Sequence, residues 1–149
     1  MSSSPAARPD PLTDDPQRWV FLSIVLDVVL VLLFVVIGRV SHGEDLGVAG
    51  VMQTAWPFLV GALLGWAVSL AWRRPMALLR TGVPVWVAAV AIGMLLRVAS
   101  EQGVETSFVV VASIVLGVFL LGWRALVAPL IRRRARRAAV TRASERARQ

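Results

Sequence analysis

Few residues in this 149-residue chain have the chemistry of a functional site, and the most conspicuous is Asp27. It lies near the middle of residues 19–37, a run that is otherwise apolar except for Ser23. A carboxylic acid at that depth in a membrane is costly, so it is a functional-site hypothesis by default. Two interpretations stay open: a hydrogen bond that fixes the register of two helices, or a carboxylate that couples to protons or cations.

The depth of Asp27 suggests which residues are within its reach. At 1.5 Å per residue it lies about 12 Å along the helix from Trp19. We place the same depth near residues 64–65 on the second apolar run and near Val115 on the fourth, where the sequence has no arginine. Arg39 is about 18 Å farther along the same helix, too far for its side chain. We therefore expect no ion pair within the chain.

Without an ion pair, the carboxyl group of Asp27 must be protonated, hydrated in a cavity, or hydrogen-bonded to neutral partners. The candidate partners are Ser23, Ser113 and the Trp66 indole.

A second polar group is expected at the other end of these helices. It comprises Arg39, His42, Gln53, Thr54, Trp56, Pro57 and Arg97, accompanied by Ser41, Glu44, Asp45, Glu101 and Glu105. A helix that a proline interrupts beside polar side chains resembles the ligand sites of transporters. The alternative is a solvated loop with interfacial anchors, and His42 alone is more typical of a loop residue than of a ligand.

The composition argues against several kinds of chemistry. The chain has no cysteine and one histidine, which excludes disulfides, thiol nucleophiles and a metal site built from several histidines. Common hydrolase, metalloprotease and phosphate-loop motifs are also missing. We expect no enzyme activity, no catalytic residue, no metal and no cofactor. An intramembrane enzyme would need a second titratable group beside Asp27.

The elements that position these residues are four apolar runs, at about 19–37, 51–71, 81–96 and 107–127, in a chain that is 57% hydrophobic. Runs of this length predict membrane-spanning helices, so the fold class is an all-α four-helix transmembrane bundle. The third run covers only about 24 Å, and snorkelling by Arg80 and Arg97 at its ends would make that length acceptable.

Small residues at helical spacing predict close helix packing. Gly61, Gly65 and Ser69 recur on one face of the second run, and Gly117 follows Ser113 on the fourth. Such stripes let a second helix approach closely. Packing within the chain is the favoured interpretation, although a homo-oligomer would use the same stripe.

Two tails flank this membrane domain of residues 18–128. Residues 1–17 predict a disordered leader, rich in Ser, Pro and Asp. After Pro129, which marks the exit of the fourth run, residues 129–149 form a basic tail that could continue its helix. The tail arginines include Arg132, Arg133, Arg134, Arg136 and Arg137. We expect them to anchor topology and to bind anionic membrane lipids. Nucleic acid is not expected, since no aromatic residue offers a stacking platform.

The distribution of arginine predicts orientation. All sixteen basic residues are arginine, and fourteen of them fall in the leader, the second loop and the segment from Arg124 onward. By the positive-inside rule, both termini and the second loop are cytoplasmic. Trp19, Trp72 and Trp123 all fall at this predicted interface. The composition suggests the cytoplasmic membrane of a prokaryote.

Several of these residues together resemble one family. They are Trp19 and Asp27, Gly38 and Arg39, the triplet SHG at 41–43, the run TAWPF at 54–58, Gly93 and Met94 with Arg97, Ser107 and Phe108, and the triplet GWR at 122–124. The pattern resembles the domain-of-unknown-function family numbered three-zero-five-four, of small prokaryotic membrane proteins. The resemblance covers residues 18–128 and implies a multi-span membrane protein, without an activity or a substrate.

Three functions follow as hypotheses. A small transporter or channel-like protein, the leading one, predicts a water-accessible cavity that reaches Asp27 from the side of Gln53 and Pro57. A non-catalytic accessory subunit or scaffold predicts that Asp27 is buried in dry helix contacts and that Asp27→Asn is tolerated. An intramembrane enzyme is the most distant of the three.

Overall fold

The computed structural model describes residues 16–148, except the side chains of 16, 132, 134–136, 138, 139, 142 and 146. Its long helices are α1 (Pro16–Ser41), α2 (Val48–Val68), α3 (Val83–Ala99) and α4 (Thr106–Ala147). A 3₁₀ turn at Ala71–Arg73 and a π-helical turn at Leu78–Gly82 lie between α2 and α3. No strand occurs in this part of the chain, so the all-α prediction is confirmed. Most of the predicted leader lies outside the described residues, although α1 already begins at Pro16.

All four helical segments are long and apolar enough to cross a membrane. Between 17% and 33% of each spanning window is buried inside the bundle, so most of each apolar surface faces outward. Side chains such as Val29, Leu63, Val87 and Val118 are about half exposed or more. Helices with this distribution need an apolar solvent, because water would be in contact with a continuous hydrophobic surface. The bundle is therefore that of a membrane protein.

The third span is longer than the sequence pattern predicted. The π-helical turn runs directly into α3, and the combined segment Leu78–Ala99 has 22 residues. At 1.5 Å per residue it is about 33 Å long, enough for the hydrocarbon core without thinning of the bilayer. The expectation of a short span was wrong because Arg80 and Arg97, taken as its ends, lie inside the helical segment.

Helices α2 and α3 pack backbone to backbone at two glycines. A Cβ atom added to Gly61 would lie 2.6 Å from the carbonyl oxygen of Ala88, and one added to Gly65 would lie 2.6 Å from Cα of Val85. Both distances are far below van der Waals contact, so only glycine permits this approach. The small-residue stripe thus packs within the chain, as the favoured interpretation held.

The other two predicted packing residues behave differently. Gly117 accommodates the Trp86 ring, whose Nε1 would lie 3.2 Å from an added Cβ. The same Nε1–H donates to the carbonyl oxygen of Ser113 over 2.9 Å, which fastens α3 to α4. Ser69 is instead the C-cap of α2, and its hydroxyl donates to the carbonyl oxygen of Gly65 over 2.6 Å.

Helix α4 continues through Pro129 to Ala147, so the predicted helical continuation of the fourth span into the basic tail is confirmed. Its apolar part reaches Ile131, four residues beyond the predicted end of the span. The predicted boundary between membrane domain and tail therefore falls inside one helix.

Candidate functional site

The centre of the bundle contains an ion pair between Asp27 on α1 and Arg124 on α4. Nη1 of Arg124 lies 2.8 Å from Oδ1 of Asp27, and Nη2 lies 2.6 Å from Oδ2. Asp27 is 2% exposed and Arg124 is fully buried. Two parallel hydrogen bonds between a guanidinium and a carboxylate are the strongest form of this contact.

Two indole rings complete the hydrogen bonding of the carboxylate. Trp66 of α2 donates from Nε1 to Oδ2 of Asp27 over 2.8 Å, and Trp123 of α4 donates to Oδ1 over 2.9 Å. The guanidinium also stacks on Trp123, with its central carbon 4.5 Å from the ring centroid. Each carboxylate oxygen therefore accepts two hydrogen bonds, and every donor comes from the protein.

The remaining donors of Arg124 connect the pair to neighbouring backbone. Nη1 donates to the carbonyl oxygen of Leu120 over 2.8 Å, one turn earlier in α4. Nε donates to the carbonyl oxygen of Pro75 over 3.2 Å, in the loop between α2 and α3. The hydrogen bonds of Asp27 and Arg124 thus join α1, α2, α4 and that loop.

The expectation that Asp27 has no ion pair within the chain was wrong, and the cause was the assumed register between helices. A cleft of about 240 Å³ is lined by Trp19, Trp72 and Ile131 together, so Trp19 is level with Ile131 and not with Trp123. Eight residues from Trp19 along α1 is Asp27, and eight residues before Ile131 along the antiparallel α4 is Trp123. Trp123 and Arg124 therefore lie at the depth of Asp27, not at the membrane interface.

Of the three predicted neutral partners, the structure brings only Trp66 to Asp27. The hydroxyl of Ser23 donates to the carbonyl oxygen of Trp19, and that of Ser113 donates to the carbonyl oxygen of Val109. Both serines satisfy themselves within their own helices, as hydroxyls in apolar helices commonly do.

A cavity of about 660 Å³ opens at the other end of the bundle, and it contains most of the predicted outer cluster. Arg39, His42, Gln53, Thr54 and Arg97 all line it. Trp56 and Pro57 do not; Pro57 is buried within α2. Sequence reasoning missed the contributions of Gln102, Gly103 and Phe108. The first two carried no signal, because they belong to a loop whose path the sequence does not reveal.

Arg39 is held by acceptors on both sides. Its Nη1 lies 2.8 Å from the carboxylate of Glu44 and donates to the hydroxyl of Thr54 over 3.0 Å. Its Nε and Nη2 both donate to the carbonyl oxygen of Asp45. This side chain therefore ties the loop between α1 and α2 to the start of α2, and its charge is already paired.

Arg97 has a different environment. Nη1 and Nη2 donate to the side-chain and main-chain oxygens of Gln102, and Nη2 also donates to the carbonyl oxygen of Gly103. The guanidinium lies over the ring of Phe108, 4.6 Å from its centroid. Its Nε is buried and has no hydrogen-bond partner. Within residues 16–148 no carboxylate forms an ion pair with Arg97.

Three phenylalanine rings pack together beside the cavity. Phe34 and Phe108 line it, and the fully buried Phe58 packs edge-on against Phe34 with centroids 5.4 Å apart. Asp27 precedes Phe34 by seven residues, about 10 Å along α1, and it does not line the cavity. The predicted route from the cavity to Asp27 is therefore closed in this structure.

A family model described as "Protein of unknown function (DUF3054)" matches residues 24–127. The chain belongs to this family. The match in this DUF3054 member includes Asp27, Arg124 and every residue of the cavity, and it leaves out the leader and the tail. Neither the curated proteins nor the solved structures compared with the chain gave a match.

Proposed function

We propose that this DUF3054 member is a small transporter or channel-like protein that takes a solute into the cavity lined by Arg39 and Arg97. The observation that carries the proposal is the cavity itself. Its volume of about 660 Å³ is within the usual range for small-molecule sites. All four long helices contribute to its wall, so relative movement of the helices would change its shape.

The ion pair has a different role in this proposal from the one that the sequence suggested. Asp27 is not a coupling carboxylate in contact with water, since all of its acceptor sites are occupied by protein donors. It closes the half of the bundle opposite the cavity. A solute that crosses the membrane must pass this closed region, so translocation requires Asp27 and Arg124 to shift relative to each other.

The cellular setting belongs to the same proposal. Both termini face the cytoplasm of a prokaryotic cell, the cavity opens to the outside, and the basic tail lies near anionic lipid. The proposed role involves no catalysis and no cofactor. A homo-oligomer is compatible with the apolar outer faces.

Solute flux into proteoliposomes tests the proposal. Because the chain contains no cysteine, a single thiol can be placed without background. Ser107 lines the cavity, whereas Ser144 lies on the exposed tail. We expect a membrane-impermeant thiol reagent to block flux through Ser107→Cys and to leave Ser144→Cys unaffected. If the wild type moves no ion, carboxylate, amino acid, sugar or phosphate from a broad panel, the transport proposal fails.

A second candidate is a non-catalytic scaffold or accessory subunit. The dry, fully bonded environment of Asp27 favours it, because such a site fixes helices in one arrangement. The scaffold predicts no flux and a rigid bundle. Flux by the wild type that is abolished when a disulfide joins cysteines introduced into α1 and α4 would reject the scaffold in favour of a moving transporter.

A further inference from the structure

We infer that the cavity binds an oxyanion attached to an apolar body, with the guanidinium of Arg97 as its charge partner. A carboxylate or a phosphate-type group has the required chemistry. This inference names the ligand class of the proposed function, but binding can be measured without transport.

The first argument is charge. Arg124 and Arg39 each pair with a carboxylate, at 2.6 and 2.8 Å respectively. Arg97 contacts only neutral oxygens and an aromatic ring. A partly buried guanidinium at the edge of a membrane is costly without a counter-charge. Glu44 is near enough to interact with Arg97 electrostatically, but its carboxylate is bonded to Arg39.

The second argument is hydrogen-bonding capacity. A guanidinium has five N–H donors, and Arg97 uses only part of them. Its Nη1 makes one hydrogen bond and its Nε makes none. Two of its partners are oxygens of Gln102, a residue in the loop between α3 and α4. An incoming oxyanion would replace neutral acceptors with charged ones in the bidentate geometry that arginine favours.

The third argument is the wall beside Arg97. The cavity that Arg97 lines also has apolar side chains in its wall, namely Phe34, Val35, Val104, Phe108 and Val111, and the ring of Phe108 lies against the guanidinium. An inorganic anion would leave this surface in contact with water, whereas an aromatic or branched acid would cover it. The other carboxylate in the wall, Glu105, is exposed, so water screens its repulsion of an anion.

Binding of three matched probes to the purified full-length protein tests the inference. Benzoate and phenylphosphate carry the oxyanion, and benzamide is the neutral isostere of benzoate. By equilibrium dialysis we expect both anions to bind and benzamide to bind at least about tenfold more weakly, the usual effect of one charged hydrogen bond. Equal binding of benzoate and benzamide, or no binding of either anion, overturns the inference without any mutation.

Variants then locate the site. We expect Arg97→Gln to lose the preference for benzoate over benzamide, and Arg73→Gln, which changes an exposed arginine outside the cavity, to keep it. Arg97→Lys keeps the charge without the planar fork, so an intermediate preference is expected. Thermal unfolding of each Arg97 variant shows whether it is folded. Retention of full preference by Arg97→Gln overturns the assignment to this residue.

The oxyanion could belong to a free acid or to a lipid headgroup. Native mass spectrometry after reconstitution in phosphatidylcholine alone, or mixed with phosphatidylglycerol, separates these sources. A phosphatidylglycerol molecule retained by wild type, lost in Arg97→Gln and displaced by benzoate indicates the headgroup; benzoate binding without retained lipid indicates the free acid. Anion binding without flux would reject transport and keep this inference. Flux of neutral solutes without anion binding would do the reverse.

Discussion

Arg124 binds Asp27 through two hydrogen bonds of 2.8 and 2.6 Å between residues 97 positions apart in the sequence. The pair connects the first and last spans of the bundle, and the Trp66 indole adds the second span to the same carboxylate. A contact this distant in sequence fixes which face of α1 meets α4. Its burial makes the loss of either partner costly, because the other charge is left without compensation.

We predict that Asp27→Asn destabilises the protein by about 3–5 kcal/mol, the usual cost of breaking a buried ion pair from one side. An asparagine carries a donor NH₂ group where Asp27 accepts from arginine and tryptophan donors, so at least one donor would face another. The measurement is unfolding in detergent followed by tryptophan fluorescence, with Ser113→Ala as a mild control. A near wild-type transition for Asp27→Asn contradicts the prediction. It would instead agree with the scaffold hypothesis, which expects Asp27→Asn to be tolerated.

The double variant Asp27→Leu with Arg124→Met is predicted to be more stable than either single change. It removes both charges together, so neither is left buried alone. Unfolding in the same detergent gives the coupling between the two sites. Additive losses would show that the two side chains do not act as a pair.

We predict that Gly65→Ala destabilises the α2–α3 contact by about 1–3 kcal/mol, the range for overpacked interiors. The added methyl group would meet Cα of Val85 at 2.6 Å, and backbone atoms cannot move aside as a flexible side chain can. Gly122→Ala is the matched control, since an added Cβ there has nothing within 4 Å. Equal unfolding transitions for the two variants would argue against close backbone packing at Gly65.

The membrane orientation gives a prediction that uses the absence of native cysteine. Ser41 ends α1 and Ser144 lies in the tail, and both are exposed. In intact cells we expect an impermeant maleimide to label Ser41→Cys, and to label Ser144→Cys only after permeabilisation. The opposite pattern would reverse the proposed orientation and place the cavity on the cytoplasmic side.

Arg39→Lys is predicted to loosen the loop between α1 and α2. A single ammonium cannot reproduce the contacts that the guanidinium makes with Asp45, Thr54 and Glu44. Loss of one net hydrogen bond, about 1 kcal/mol, corresponds to roughly fivefold faster amide exchange in residues 44–47. Hydrogen exchange with Arg73→Lys as control measures it. Unchanged protection would show that the backbone alone holds this loop.

The fold class was predictable from the sequence because four long apolar runs leave few alternatives to a helical bundle. The cavity residues Arg39 and Arg97 were also predictable, since charged residues near helix ends gather at the same level. The partner of Asp27 was not, because depth counted along one helix says nothing about the level of another. The sequence pattern predicted Trp19 to be level with Trp123, whereas the structure places it level with Ile131, eight residues later. This error put Arg124 at the wrong depth. Pairing the lone deep acid with Arg124, the one arginine that falls inside any of the four predicted runs, would have found it.

Helix α4 runs unbroken from the bundle through the tail, so the position of a tail residue along this helix sets its distance from the bundle. Past Ile131, Arg137 is at most about 9 Å farther along the axis, at 1.5 Å per residue. Charges act through physiological salt over about 8 Å, so Arg137 would lie near the limit of attraction to a lipid surface level with Ile131 if this axis stood upright. Arg148, about 26 Å past Ile131 on the same axis, would then lie beyond that range and in contact with the surrounding water.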